Sequence, residues 1–195
     1  MLNPHYLNQR LLDLGPFDPK QKGACLFQMV NPAPWNKIWR SSYLQGINLS
    51  FQEYESANDF YFVECGLAEA RSIASLNEVL VRYREWSGST QHSAKPFPVG
   101  FIRALVNIKA RLIRKGLYET YRETFLEAVV VHLRYNLTVA RKYSDLNAIH
   151  AIIDAYDAGL PFELGLLAPS AKAKLNRVDA IVDDSRRWLF DAMAE

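Results

Sequence analysis

Four histidines, His5, His92, His132 and His150, are the first places to look for proton transfer or metal ligation. His150 and Asp154 stand four apart in a stretch of helical periodicity, so they share a face and could supply two ligands to a metal ion. A zinc site needs about four ligands at close spacing, and no C-x-x-C or H-x-x-x-H pair accompanies them. The plain alternative is a surface ion pair. His132 lies in AVVVHLRY, where a hydrogen-bonded core histidine is expected. Glu123 and Glu127, again four apart and beside Arg122, read as a solvated helix face. The chain contains no G-x-S-x-G, phosphate loop, G-x-G-x-x-G or H-E-x-x-H motif. These residues argue against an enzyme, and no cofactor or metal is expected.

Cations are better placed than nucleophiles. Arg103, Arg111, Arg114, Lys115 and Arg122 fall near one helical face with Asn107 among them. Such a face can neutralise phosphates and release counterions. It can equally be an ordinary solvated surface balanced by acidic segments. The net charge of +2 hides this asymmetry. Residues 1–42 carry five basic and two acidic side chains, 43–99 four and seven, 100–142 nine and three, and 143–195 five and nine. Two basic segments therefore alternate with two acidic ones.

A third pattern lies in 24–57. ACLFQMV at 24–30 is short, apolar and bounded by Gly23 and Asn31-Pro32, which predicts a strand. Trp35, Ile38, Trp39 and Tyr43 recur at helical spacing, so Pro34–Gln45 is expected to be a helix closed by Gly46. From Ile47 the pattern fits either a strand of alternating Ile47, Leu49 and Phe51 or a second helix capped by Asn48. Taken as strand, helix and helix, the order is that of a ribbon–helix–helix module. Two such chains would pair through residues 24–30 as a homodimer and place the ribbon in the major groove of double-stranded DNA. Phe27 and Met29 would face inward, and Leu26, Gln28 and Val30 outward. Gln28 is the natural base reader, because its amide can bond adenine at two points. Lys20, Lys22, Lys37 and Arg40 flank the strand, and Asn48 with Ser50 opens a helix whose N–H groups could hold a phosphate. The backbone contacts would be completed by Arg103, Arg111 and Arg114.

The elements that must position these residues predict a mostly α-helical protein: a short N-terminal β-strand in a ribbon–helix–helix-like module, followed by a helical bundle. Tyr6 to Leu14 could form a short helix. The periodic run from Asp59 to Trp86 reads as helical, with Gly66 a possible break. SGSTQHSAKPFP at 87–98 is the clearest linker, dividing an N-terminal region (1–86) from a helical domain (99–195). Residues 99–142 read as two helices broken near Gly116, Leu146–Ala158 as a third ending at Gly159, and 171–193 as a last one capped by Ser170. At 195 residues and 49% hydrophobic content the chain has ample material for a core. Cys25 and Cys65 both sit in apolar surroundings and read as reduced, buried thiols. The start MLNPHYLNQR lacks the form of a signal peptide, and no apolar run, AVVV at 128–131 included, exceeds four residues, so no membrane partner and a cytoplasmic location are expected.

Several pieces in order resemble the AcaB-type regulators of conjugative plasmids and integrative conjugative elements. They are Leu14-Gly15-Pro16 before the strand, the apolar Leu26–Val30, Trp39-Arg40, and the Pro96-Phe97 step with Gly100 before an arginine-containing helix. The resemblance implies a ribbon–helix–helix DNA-binding activator with a helical extension, controlling DNA-transfer genes. The apolar outward positions Leu26 and Val30 and the acidic middle segment depart from that pattern. A reading of a different class makes the chain a helical adaptor that binds another protein through Trp35, Trp39, Tyr43 and Phe60-Tyr61-Phe62, since aromatic anchors concentrate at interface centres.

Overall fold

The computed structural model describes residues 15–53, 57–76, 78–82, 84, 99–160 and 169–194. Their regular structure is helical. In chain order these are α1 (Leu26–Met29), α2 (Ser41–Gly46), α3 (Asn58–Glu69), α4 (Gly100–Arg114), α5 (Tyr118–Lys142), α6 (Leu146–Gly159) and α7 (Pro169–Ala194). Single 3-10 turns occupy Pro19–Lys22 and Pro34–Asn36. One antiparallel bridge, Phe17 to Ile73, is the only β pairing among the described residues. The mostly helical class is as expected; the N-terminal strand is not there.

Residues 26–29 form one helical turn instead of a strand because Leu26 and Phe27, adjacent in sequence, both bury themselves. A strand sends neighbours to opposite faces and could hide only one of them. Burying a Leu and a Phe is worth roughly 1.5–3 kcal/mol each, against a β-propensity scale that spans only about 1 kcal/mol. The docking surface is α5. The Phe27 amide donates to Thr124 Oγ1 at 2.8 Å, that hydroxyl donates to Gln28 Oε1 at 2.8 Å, and Gln28 Nε2 donates to the Thr124 carbonyl at 2.9 Å. Phe27 also stacks on Tyr121. Gly23 lets the chain approach this helix: a Cβ there would lie 2.3 Å from the Thr120 carbonyl oxygen.

The helix expected over Pro34–Gln45 is split. Lys37 folds back so that its ammonium donates to the Asn31 and Ala33 carbonyls and to Asn36 Oδ1, which fixes a turn and delays α2 to Ser41. Residues 47–53 are neither strand nor helix. The left-handed backbone sits at Asn48, with φ of 50°, and not at Gly46. Downstream, α3 stops at Glu69 rather than reaching Trp86: Ala70 turns to extended backbone, and the Glu69 carboxylate is held by Arg111 and Lys115.

The later helices follow their periodicities. Gly116, at φ +66°, separates α4 from α5. Asp145 caps α6 by accepting from the Ala148 amide at 2.9 Å. The last helix begins two residues earlier than expected, and the Ser170 hydroxyl donates to Glu123 of α5. Phe190 on this helix is 76% exposed. Phe60 and Phe101, near the starts of α3 and α4, both meet His132 of α5, and Glu69 and Arg111 join near their ends. So α3 and α4 run side by side and α5 returns against them. Pairs from Glu123 with Lys174, through Glu127 with Arg177, to Arg141 with Asp184 climb in the same order, so α7 lies parallel to α5. Glu123 and Glu127 therefore staple two helices instead of forming a free solvated face. One continuous core runs from Phe17 to Leu189 and draws on both sides of residues 87–98. The expected linker 87–98, the Tyr6–Leu14 helix and most of the loop after Leu160 lie outside the described residues. Cys65 is buried, but Cys25 is exposed, contrary to expectation, with its Sγ 3.4 Å from Met29 Sδ.

Candidate functional site

The site is organised by Arg111, which the sequence placed on an exposed cationic face. It lies three residues after Ile108 and seven after Ala104, both buried, and is itself only 8% exposed. Its Nε donates to Glu69 Oε1, with Lys115 Nζ 3.3 Å from the other carboxylate oxygen. Nη2 donates to the Ile47 carbonyl at 2.7 Å; Nη1 donates to the Asn48 carbonyl at 3.3 Å and to Tyr61 Oη at 3.4 Å. Burial alone would lower the guanidinium pKa, but the bonds to Glu69 and Tyr61 more than reverse that and hold it above its ordinary value. The cation is spent inside the protein, clasping the turn at 47–48, and is not presented to a phosphate.

That clasp shapes an open polar hollow of about 400 Å³, lined by Asn48, Ser50, Phe51, Gln52, Glu53 and Tyr61. The Tyr61 oxygen accepts from Arg111. The lining offers amide, hydroxyl, phenol and carboxylate groups. No group of three His, Cys, Asp or Glu residues able to hold a metal occurs among the described residues. Lining groups of these kinds suit hydrogen-bonded recognition.

An apolar ridge adjoins it. Phe51 stacks on Phe62 with ring centroids 4.1 Å apart, and Trp39 meets the same ring edge-on at 5.5 Å. Tyr43 donates its hydroxyl to the Gly66 carbonyl at 2.6 Å, and the absence of a side chain at Gly66 leaves room for the Trp39 ring. Phe60, Tyr61 and Phe62 are core residues, so they do not form the contact surface of the adaptor reading. What emerges instead is Ile38, 81% exposed, with Phe51 at 48% and Trp35 at 37%.

Three further ionisable groups are shifted by burial. Lys37 is lowered to about 8 by burial, with Glu64 and Asp59 pulling it back up. Glu64, 1% exposed, is raised by burial against the pull of Lys37, and its Oε2 has no hydrogen-bond partner. His132, between Phe60 and Phe101, is pushed down to about 4 by burial and stays neutral.

Of the residues expected to touch DNA, the structure brings together Asn48 and Ser50 in the hollow, with Arg111 behind them. Leu26 is fully buried, Val30 packs on the core, and both ends of the Gln28 amide are occupied by Thr124, so none is free to enter a groove. Lys37 is tied to carbonyls. Lys20, Arg40, Arg103 and Arg114 are exposed and Lys22 half-buried, and none of the five forms an ion pair among the described residues. Arg122 is turned to Glu119 and the Tyr118 ring. His150 and Asp154 sit exposed on α6 without a third ligand. Reading the sequence missed Gln52, Glu53 and Glu69 as site residues and gave Phe51 and Tyr61 other roles, because the assembly depends on contacts 42 to 64 residues apart. No protein-family model, curated protein or solved structure matches the chain. No helix among the described residues is long and apolar enough to cross a membrane.

Proposed function

We propose that this protein acts by binding another protein, as a helical adaptor whose contact surface is the ridge of Trp35, Ile38 and Phe51 beside the polar hollow. The observation that carries this reading is the exposure of Ile38 and Phe51 on a backbone fixed from below by Arg111 and Lys37. Apolar side chains in a held geometry, next to hydrogen-bonding groups, have the makings of an interface centre with a polar rim. Site-specific photo-crosslinking tests it. A photoreactive residue at position 38 or 51 should trap one discrete protein species in cells, and one at Asn176, an exposed polar position of α7, should not. Equal trapping at all three positions refutes the ridge.

The DNA-binding regulator remains the second reading, now without the strand. It is supported by Lys20, Arg40, Arg103 and Arg114, exposed and unpaired among the described residues. Such cations would contact phosphate and give affinity without base reading. A mobility shift at low salt that weakens in Arg103→Ala and Arg114→Ala alike across unrelated sequences would favour it over the adaptor.

A further inference from the structure

After α3 ends at Glu69 and Ile73 bridges to Phe17, the chain exposes an unusual run. Leu76 is 60% exposed, Val79 61%, Leu80 59% and Val81 46%. Among the described residues, 78–82 enter no backbone hydrogen bond outside a helix and belong to no helix, and Glu78 and Arg82 have no ion-pair partner. The same residues carry a helical stripe, yet they do not fold as a helix. A Val-Leu-Val run of high β-propensity, exposed and outside any helix, is suited to pairing as a strand.

The pattern of charge says which neighbour fits. We infer that residues 78–82 pair with the same residues of a second copy, antiparallel, about a two-fold axis through Leu80. In that register Glu78 of each chain faces Arg82 of the other, Val79 faces Val81, and Leu80 faces Leu80, so both ion pairs and all apolar pairs form at once. Parallel in-register pairing would set Glu78 on Glu78 and Arg82 on Arg82. A two-fold at Val81 pairs Glu78 with Arg84 but forces Leu80 against Arg82. Only the axis at Leu80 satisfies every side chain from 78 to 82. Residues 24–30, by contrast, offer no strand edge, because Leu26–Met29 is a helical turn whose Phe27 amide and Gln28 side chain bond Thr124 of α5. A lone two-stranded ribbon is marginal, so the association is expected to be concentration-dependent.

Sedimentation velocity across a hundredfold range of concentration should show a monomer–dimer equilibrium. Glu78→Arg or Arg82→Glu alone places like charges opposite each other at both pairs and should weaken dimerisation by about tenfold or more. The double exchange E78R/R82E restores both pairs and should return the dissociation constant close to that of the original chain. In a Cys25→Ser background, Leu80→Cys should oxidise to a linked dimer because the two positions face each other, whereas Val79→Cys should link poorly. A chain monomeric at every concentration whose Leu80→Cys variant also fails to link overturns the proposal. So does a dimer indifferent to the charge reversals, which places the contact elsewhere, or equal linking at 79 and 80, which denies the register.

Discussion

Replacing Arg111 with Met keeps most of the aliphatic stem and removes the cation. Glu69, whose side chain is 7% exposed, then loses its main partner, and the Ile47 and Asn48 carbonyls lose their donors. Removing one member of a buried pair costs about 3–5 kcal/mol, because the surviving charge stays desolvated. Lys115 remains 3.3 Å from the other Glu69 oxygen with a side chain that reaches water, which argues for the lower part of that range. The expected loss is about 3–4 kcal/mol. At roughly 2–4 °C per kcal/mol for a chain of this size, the melting midpoint falls by ~10 °C. Circular dichroism during thermal and urea unfolding measures both. Arg114→Met, on the exposed side of the same helix, should change stability by less than about 0.5 kcal/mol. The double variant Arg111→Met/Glu69→Leu should recover more than half of the loss, since no uncompensated charge remains. Hydrogen exchange adds a local readout: the amides of 48–53 should exchange faster in Arg111→Met. A loss below about 1 kcal/mol, or equal losses for Arg111 and Arg114, would refute the clasp.

Three further outcomes are expected. His132 favours its neutral form when folded, so its contribution is intact above pH about 6.5 and is lost as pH falls towards about 4, by up to roughly 3 kcal/mol. Glu64 pulls the other way in that window, so the difference between the original chain and His132→Phe is the curve to measure; a flat difference contradicts burial of the ring. Glu64→Gln mimics the protonated acid and should leave stability at pH 8 unchanged or higher, with the advantage growing as pH rises from about 5; a clear loss in urea melts would mean that the carboxylate is ionised and paired. Gly23→Ala drives a methyl against the Thr120 carbonyl and should cost about 1–3 kcal/mol, while Gly46→Ala, with nothing within 4 Å, should be neutral or gain up to about 1 kcal/mol.

The long helices were legible because their apolar residues repeat every three or four positions over four or more turns, with Gly116 and Asp145 marking breaks that local chemistry alone explains. Residues 24–30 were not, since a short apolar run fits a strand or a buried helical turn, and Thr124, 96 residues away, decides between them. The end of α3 was hidden as well: the helical periodicity carries on past Glu69, and no spacing announces the extended backbone at Ala70. Arg111 itself carried a readable signal. It shares a helical side with Ala104 and Ile108, which marks it as inward-facing although its charge suggested a surface. Asn48 and Ser50 were found through their capping chemistry, but the hollow they line is made by a tertiary clasp.

The bond between Gln28 and Thr124 also sets a schedule. A ribosome adding about 5–20 residues per second delivers Thr124 some 5–20 seconds after Gln28. Until then Leu26 and Phe27 have no surface to cover them, and the N-terminal segment waits as an apolar, unanchored tail. The nascent chain therefore passes through an interval in which a holding chaperone has a clear target, and the interval ends when α5 has left the tunnel.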